Sequence, residues 1–165
     1  QPGHAAVAPV QVPVQVADVA RKLVRLMSDE LSAAEVQVTV VSDGSAALAD
    51  PVAVEQILHN LLMNAIHALS ATPAPARQIR IAVAGHGDRV TCQVVDTGPG
   101  MPATVAARLF EPFFTTRPDG LGLGLPLCQT LALAMDGQVT LARNSAAGVA
   151  MALDLPLAPA ARDTP

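Results

Sequence analysis

The stretch DPVAVEQILHNLLMNAIHAL, residues 50–69, predicts one long helix. Asp50 is a residue type that caps helix N-termini, and Pro51 suits the first helical position because its backbone is already fixed near helical geometry. Apolar residues then recur at steps of three and four, which makes one face of the helix apolar. These residues are Val54, Ile57, Leu58, Leu61, Leu62, Ala65 and Leu69. The Thr-Pro-Ala-Pro run at residues 72–75 predicts the end of the helix.

A polar stripe runs beside the apolar face of this predicted helix. Asn60 and Asn64 are one turn apart, so their side chains stack on one face, and Gln56 and His67 extend the stripe. Asparagine is a poor helix former, so two of them in mid-helix need a reason. One reason is function, because an amide oxygen can serve as a ligand for Mg²⁺, an ion that also takes phosphate oxygens. The other is that both residues only decorate a helix face, and the helix alone leaves this choice open.

Shorter segments around the helix predict a sheet. Strands are predicted over residues 10–16, 36–41, 79–84, 89–95, 139–142 and 149–155, and further helices over residues 18–31 and 125–135. The residues between 84 and 89 carry a hairpin signal, and residues 96–120 are expected to form a long connection. Together these elements predict an α+β fold, a two-layer sandwich in which a mixed sheet carries helices on one face.

Length and composition exclude several classes of protein. The 165 residues suit one domain, and 51% hydrophobic against 15% charged residues argues against intrinsic disorder. We expect no membrane span and no secretion signal, and the net charge of −4 without a Lys or Arg run argues against nucleic acid as the main partner. Cys92 and Cys128 fit neither a disulfide framework nor a zinc spacing, which predicts reduced thiols. The domain is expected over residues 10–157, with a linker at 1–9 and a tail at 158–165.

A candidate base-binding motif, VVDTGPGM, occupies residues 94–101. Asp96 ends an apolar strand, and its carboxylate can accept a hydrogen bond from an adenine amine. Gly98 and Gly100 allow the backbone to approach a flat ring closely. The alternative is an ordinary Asp-x-Gly turn, which is common.

A candidate phosphate-binding motif, GLGLGL, occupies residues 120–125 and opens the last predicted helix. Unpaired backbone N–H groups at a helix N-terminus favour an anion. The spacing matches neither the dinucleotide-binding fingerprint nor the Walker loop. The alternative is a flexible hinge, which is compatible with phosphate binding.

The order and spacing of these motifs resemble the catalytic ATP-binding domain of bacterial sensor histidine kinases. The matching pattern is Gln56-x3-Asn60-x3-Asn64-Ala65, then the Asp96 motif, then LFEPFFTT at residues 109–116, then GLGLGL. This domain has the Bergerat (GHKL) fold, with a mixed, mostly antiparallel sheet, which it shares with DNA gyrase, mismatch-repair and heat-shock chaperone ATPases. The last two motifs most resemble those of nitrogen-regulation and dicarboxylate-sensing kinases.

The resemblance implies ATP and Mg²⁺ as cofactors and assigns roles to matching residues. Asn64 would bind Mg²⁺, Asn60 would support the phosphates, and these two form the catalytic pair. Asp96 would bind the adenine amine, and residues 102–124 would form a mobile lid anchored by Phe110, Phe113 and Phe114. Arg117 would reach the outer phosphate. Nucleotide contacts are expected from Asn60, Asn64, His67, Asp96, Gly98, Gly100, Met101, Thr115, Thr116, Arg117, Gly120, Leu121, Gly122, Leu123, Gly124 and Leu125.

Three positions depart from the family pattern, and a fourth, Asn60, matches it but separates kinases from related ATPases. Related ATPases carry a water-activating Glu where this chain has Asn60, which cannot act as a base. Pro126 gives up a backbone donor in the first turn of a helix. His67 stands where many relatives carry Lys or Arg, and Val149 replaces a Thr whose hydroxyl serves the adenine water network.

The resemblance also implies partners that the sequence does not supply. None of the four histidines stands in a phosphoacceptor context, so we expect an excised domain that delivers phosphate to a His on a separate dimerisation domain. A response regulator would act downstream. The fragment would be a cytoplasmic monomer without membrane contact, and its parent a homodimeric inner-membrane sensor. The alternatives are a nucleotide-binding module of this fold without kinase activity, and an ATPase of the gyrase or chaperone class.

Overall fold

The computed structural model describes residues 10–116 and 124–159. Its strands are β1 (Val12–Val14), β2 (Gln37–Ser42), β3 (Ala47–Ala49), β4 (Gln78–His86), β5 (Arg89–Asp96), β6 (Gln138–Ser145) and β7 (Gly148–Pro156). Its α-helices are α1 (Val16–Leu26), α2 (Ser28–Ala34), α3 (Pro51–Ala68), α4 (Ala103–Ala106) and α5 (Gly124–Leu133). The architecture is the predicted α+β sandwich.

The main sheet has five strands in the order β2-β4-β5-β7-β6. Only the β2–β4 pair is parallel, and the other neighbours are antiparallel, so the sheet is mixed but mostly antiparallel. The β6–β7 hairpin pairs Asn144 with Val149 and Ser145 with Gly148 at its tight end. This end of the hairpin lies next to the end of β5, where Asp96 is located.

Helices α1, α3 and α5 pack on one face of the sheet and bury an aliphatic core. The apolar residues predicted to face one side of α3 are all buried, as is Leu69 just beyond the end of that helix. The Asp50 carboxylate accepts hydrogen bonds from the backbone N–H of Val52 (3.0 Å) and of Ala53 (3.5 Å), as expected of an N-cap. The helix that defines the fold therefore begins at the predicted residue.

The N-terminal region differs from the prediction. The single helix expected over residues 18–31 is two helices, because the backbone leaves helical geometry at Met27 (φ −99°, ψ 17°) while Met27 and Leu31 both stay buried. The strand expected over residues 10–16 is only β1, since helix α1 begins at Val16. Strand β1 pairs with β3, which the sequence did not predict, in a separate two-stranded sheet.

The remaining boundaries are close to the predicted ones. Helix α5 starts one residue early and ends two residues before the predicted end at 135. The segment predicted as a long connection contains the short helix α4. Both cysteines are buried and free, in agreement with the prediction of reduced thiols. Within the described ranges, 10–116 and 124–159, no helix is both long and apolar enough to cross a bilayer.

Candidate functional site

A cavity of about 720 Å³ opens between the C-terminal half of α3, the end of β5, the start of β7, the segment after Gly100, and the start of α5. Its volume falls in the range typical of small-molecule sites, roughly 300–1,000 Å³. Nine of the residues predicted from the motifs line it. They are Asn64, His67, Asp96, Gly100, Met101, Thr115, Thr116, Gly124 and Leu125. The fold therefore brings residues of all four sequence motifs to one site.

Two further predicted residues support the cavity without lining it. The side-chain amide of Asn60 donates to the backbone carbonyl of Gly124 (3.5 Å) and to the sulfur of Cys128 (3.4 Å), which joins α3 to the start of α5. The backbone N–H of Gly98 donates to the Asp96 carboxylate. Predicted contacts at Arg117 and at residues 120–123 lie outside the described residues.

Asp96 is the buried charged residue at this site, with only 4% of its surface exposed. Its Oδ1 accepts hydrogen bonds from the backbone N–H of Gly98 (2.8 Å) and of Val149 (3.3 Å). Both donors reach the same oxygen, and none of the hydrogen bonds given for the described residues reaches Oδ2. Burial is the largest influence on this carboxyl and raises its pKa, while the two backbone donors act in the opposite direction. The surrounding backbone thus fixes the orientation of Asp96.

Two glycines allow the backbone segments to meet around Asp96. A Cβ on Gly148, where φ is +141°, would overlap the carbonyl oxygen of Asp96. A Cβ on Gly100, where φ is +80°, would overlap the carbonyl oxygen of Ser145. The close approach of these segments therefore requires glycine at both positions.

Apolar side chains form most of the remaining cavity wall, and none of them was among the nucleotide contacts expected from the sequence. They are Leu61, Ala65, Ala68, Val94, Pro102, Val105, Leu109, Phe114, Pro126, Val149 and Met151. Two patterns in the sequence could have identified some of these wall residues. Val94 and Asp96 lie two apart on β5 and so share a face, and Leu61, Ala65 and Ala68 follow helical spacing beside the polar stripe of α3. Such walls suit a flat aromatic ring.

The three phenylalanines have different environments. Phe110 packs partly buried against the core, and Phe114 lines the cavity with the Arg108 guanidinium 4.3 Å from its ring centre. Phe113 is 75% exposed and has a positive φ of 67°. Phe110 therefore packs on the core and Phe114 borders the cavity, whereas Phe113 packs against little of the described chain.

Pro126 lies in the first turn of α5, where a backbone N–H has no partner within the helix. The proline therefore costs no hydrogen bond within the helix. Within residues 10–116 and 124–159, no cluster of three or more His, Cys, Asp or Glu side chains could hold a metal ion. Asn64 lines the cavity and carries an amide oxygen, a group that can bind Mg²⁺.

Residues 49–159 match the family described as histidine kinase-, DNA gyrase B- and HSP90-like ATPases. The chain is similar to the C4-dicarboxylate transport sensor protein DctS of Rhodobacter capsulatus, with 33% identity over 66% of this chain and 17% of that protein. It is also similar to the C4-dicarboxylate transport sensor protein DctB of Rhizobium meliloti, with 37% identity over 68% of this chain and 18% of that protein. The chain thus spans less than a fifth of the length of these curated relatives.

Solved structures resemble this fold over most of its length. The full-length ShkA structure in complex with AMPPNP aligns with a TM-score of 0.81 and 32% identity, over 97% of this chain and 34% of that one. The catalytic domain of the histidine kinase ThkA aligns with a TM-score of 0.77 and 26% identity, over 88% of this chain and 95% of that one. The predicted resemblance in fold and the resemblance to dicarboxylate-sensing kinases are both confirmed.

Proposed function

Because this chain belongs to the family of histidine kinase-, DNA gyrase B- and HSP90-like ATPases, we propose that it is the ATP-binding catalytic domain of a sensor histidine kinase. Its task would be to hold ATP and present the γ-phosphoryl group to a His on a separate dimerisation domain. Most of the catalysis of phosphoryl transfer is positioning and charge stabilisation, which a cavity that holds ATP in one orientation can provide. The proposed domain covers residues 10–157, flanked by a linker at 1–9 and a tail at 158–165.

The single observation that carries this proposal is the buried Asp96 carboxylate at the end of a largely apolar cavity. One of its oxygens is occupied by two backbone donors, so the other can accept from the exocyclic amine of adenine. The apolar side chains of α3 and β7 would cover the faces of the ring. A buried carboxylate that is only partly satisfied by the protein is otherwise costly, and an adenine amine would complete its hydrogen bonding.

Asn64 would hold Mg²⁺ through its side-chain oxygen, with the remaining ligands supplied by phosphate oxygens and water. The bound ion would neutralise charge on the phosphates. Asn60, one turn earlier on α3, lies against Gly124 and would support the phosphate end of the site. Its amide cannot accept a proton from water, so we expect little hydrolysis.

In the proposed reaction a histidine ring nitrogen of the dimerisation domain attacks the γ-phosphorus of ATP. A P–N bond forms, the bond between the γ-phosphorus and the β–γ bridging oxygen breaks, ADP leaves, and the proton on the other ring nitrogen is released to solvent. We propose a response regulator as the next acceptor and a membrane-anchored, homodimeric parent, since the curated relatives are named as sensor proteins.

The test has two stages. Calorimetric titration with ATP, with and without Mg²⁺, should show Mg²⁺-dependent binding. The chain should then transfer ³²P from γ-labelled ATP to the dimerisation domain of its parent protein, giving an acid-labile, base-stable phosphoramidate. Binding without transfer would instead favour a nucleotide-binding module that lacks kinase activity. Brisk ATP hydrolysis by the isolated chain would favour the ATPase alternative and refute the role given to Asn60.

A further inference from the structure

The side chain of Asn144, near the end of β6, makes a two-point contact with the backbone of Met101, 43 residues away in sequence. Its Oδ1 accepts from the Met101 N–H at 2.9 Å, and its Nδ2 donates to the Met101 carbonyl at 2.8 Å. Both distances are those of well-formed hydrogen bonds. One amide thereby satisfies both polar groups of a residue that belongs to no helix or strand.

Met101 is part of the cavity wall, whereas Asn144 is not. The start of this wall segment is held elsewhere, by hydrogen bonds from Thr97 N–H to the Gln78 carbonyl and from Gly98 N–H to Asp96. Gly100 then turns the chain with a positive φ, which gives the backbone freedom that must be restrained to keep the wall in place. Both hydrogen bonds that the structure gives for the Met101 backbone are to Asn144.

The residue paired with Asn144 across the β6–β7 hairpin is Val149. The Val149 N–H donates to the Asp96 carboxylate, at the opposite end of the same wall segment. Two cross-strand neighbours therefore each hold one end of residues 96–101. Because paired residues of a hairpin have a fixed separation, they also fix the distance between Asp96 and Met101.

We propose that Asn144 is a positioning residue for nucleotide binding. It acts through Met101 and sets the distance between Met101 and Asp96, the two ends of the wall segment against which adenine would lie. This inference rests on the proposed function. Asn144 would contribute equally to ATP and ADP affinity, since both hydrogen bonds given for its side chain go to Met101, in the wall segment that begins at Asp96.

The chain contains a matched control. The side-chain amide of Gln129 on α5 makes the same pair of hydrogen bonds to the backbone of Val139, at 2.8 and 2.9 Å, and neither residue lines the cavity. Gln129→Ala therefore removes an equivalent amide contact at a place that should not matter for binding. Any purely structural effect of losing such a contact should appear in both variants.

The experiment compares Asn144→Ala, Gln129→Ala and the unaltered chain by thermal unfolding, by calorimetry with Mg-ATP and Mg-ADP, and by hydrogen exchange of the Met101 amide. Both variants should unfold at similarly reduced temperatures. Only Asn144→Ala should weaken ATP and ADP binding, each by about tenfold, and only it should accelerate Met101 exchange, by about tenfold or more. Equal nucleotide affinities in the two variants would overturn the proposal.

The outcomes separate this proposal from the proposed function. If the unaltered chain fails to bind Mg-ATP, the proposed function is wrong, and the positioning of nucleotide by Asn144 is wrong with it. If the chain binds ATP but Asn144→Ala leaves the affinity and Met101 exchange unchanged, only the inference about Asn144 fails. Asn144→Asp gives a second check, because it retains the acceptor for the Met101 N–H but replaces the donor to the carbonyl by an oxygen. It should therefore also weaken both nucleotides.

Discussion

Replacing Asp96 by Asn is the sharpest test of the base-binding site, because the backbone dictates which way the new amide must point. The N–H groups of Gly98 and Val149 both donate to Oδ1 of Asp96. An asparagine could keep these two hydrogen bonds only by placing its own oxygen there. Its NH₂ group would then face the cavity, where a donor would meet the donor amine of adenine.

The expected loss follows from the hydrogen bond removed and the groups left unpaired. A hydrogen bond to a charged group contributes roughly 1.5–3 kcal/mol, and a buried donor without an acceptor costs roughly 1–3 kcal/mol more. A loss of about 3 kcal/mol corresponds to a roughly 150-fold weaker affinity for ATP. Calorimetry with Mg-ATP and Mg-ADP measures this loss, and both nucleotides should be affected alike.

The fold should tolerate this substitution. Burial raises the pKa of Asp96, so the charged carboxylate opposes folding of the empty chain, and a neutral amide removes that cost. Asp154→Asn is a suitable control, since Asp154 pairs with Arg89 on β5 and does not line the cavity. The control should leave ATP affinity unchanged. If Asp96→Asn binds ATP within threefold of the unaltered chain, Asp96 is only a turn residue and the adenine site lies elsewhere.

Four further outcomes are expected. The folded state raises the pKa of Asp96 above its ordinary value of 3.8. The free energy of unfolding of the nucleotide-free chain, relative to that of Asp96→Asn, should therefore fall as pH rises from 3.8 through the folded pKa. Urea unfolding at several pH values measures this difference. ATP binding, relative to the same variant, should weaken as pH falls through that window, which titration at several pH values would show. Asn64→Ala should reduce ATP affinity about tenfold with Mg²⁺ and have little effect in EDTA; equal losses in both conditions would contradict a role in metal binding. Gly148→Ala should destabilise the fold by about 2–3 kcal/mol, because the new Cβ would overlap the Asp96 carbonyl oxygen and the φ of residue 148 is unfavourable to alanine. An unchanged urea midpoint would refute this packing.

Local sequence signals were sufficient for helix α3 and insufficient for the smallest strands. Asp50, Pro51 and a regular apolar spacing define a helix through interactions within a few residues, so its start could be predicted. Strand β3 is only Ala-Leu-Ala, without β-branched residues, and exists because β1 pairs with it and Ala47 bridges to Leu157. Such pairing depends on the tertiary fold, which a local pattern does not contain.

The same division separates the two parts of the candidate site. Polar and glycine residues such as Asn64, Asp96 and Gly100 were expected at a ligand because their types are unusual at those places. The walls were missed because Leu61 and Met151 are of the same type as core residues, and only the fold decides which apolar side chains face a cavity. Asn144 was missed because a single asparagine near a strand end predicts a turn, and its partner is 43 residues away.

The two ends of the cavity are held in place by different elements of the fold. The hairpin β6–β7 holds Asp96 and Met101 at one end, whereas at the other end Asn60 on α3 donates to Gly124 at the start of α5. These two supports share no hydrogen-bonding residue among those described here. Interactions without shared partners add nearly independently. In the proposed function, the adenine end and the phosphate end of the site would therefore contribute separately to the affinity for ATP.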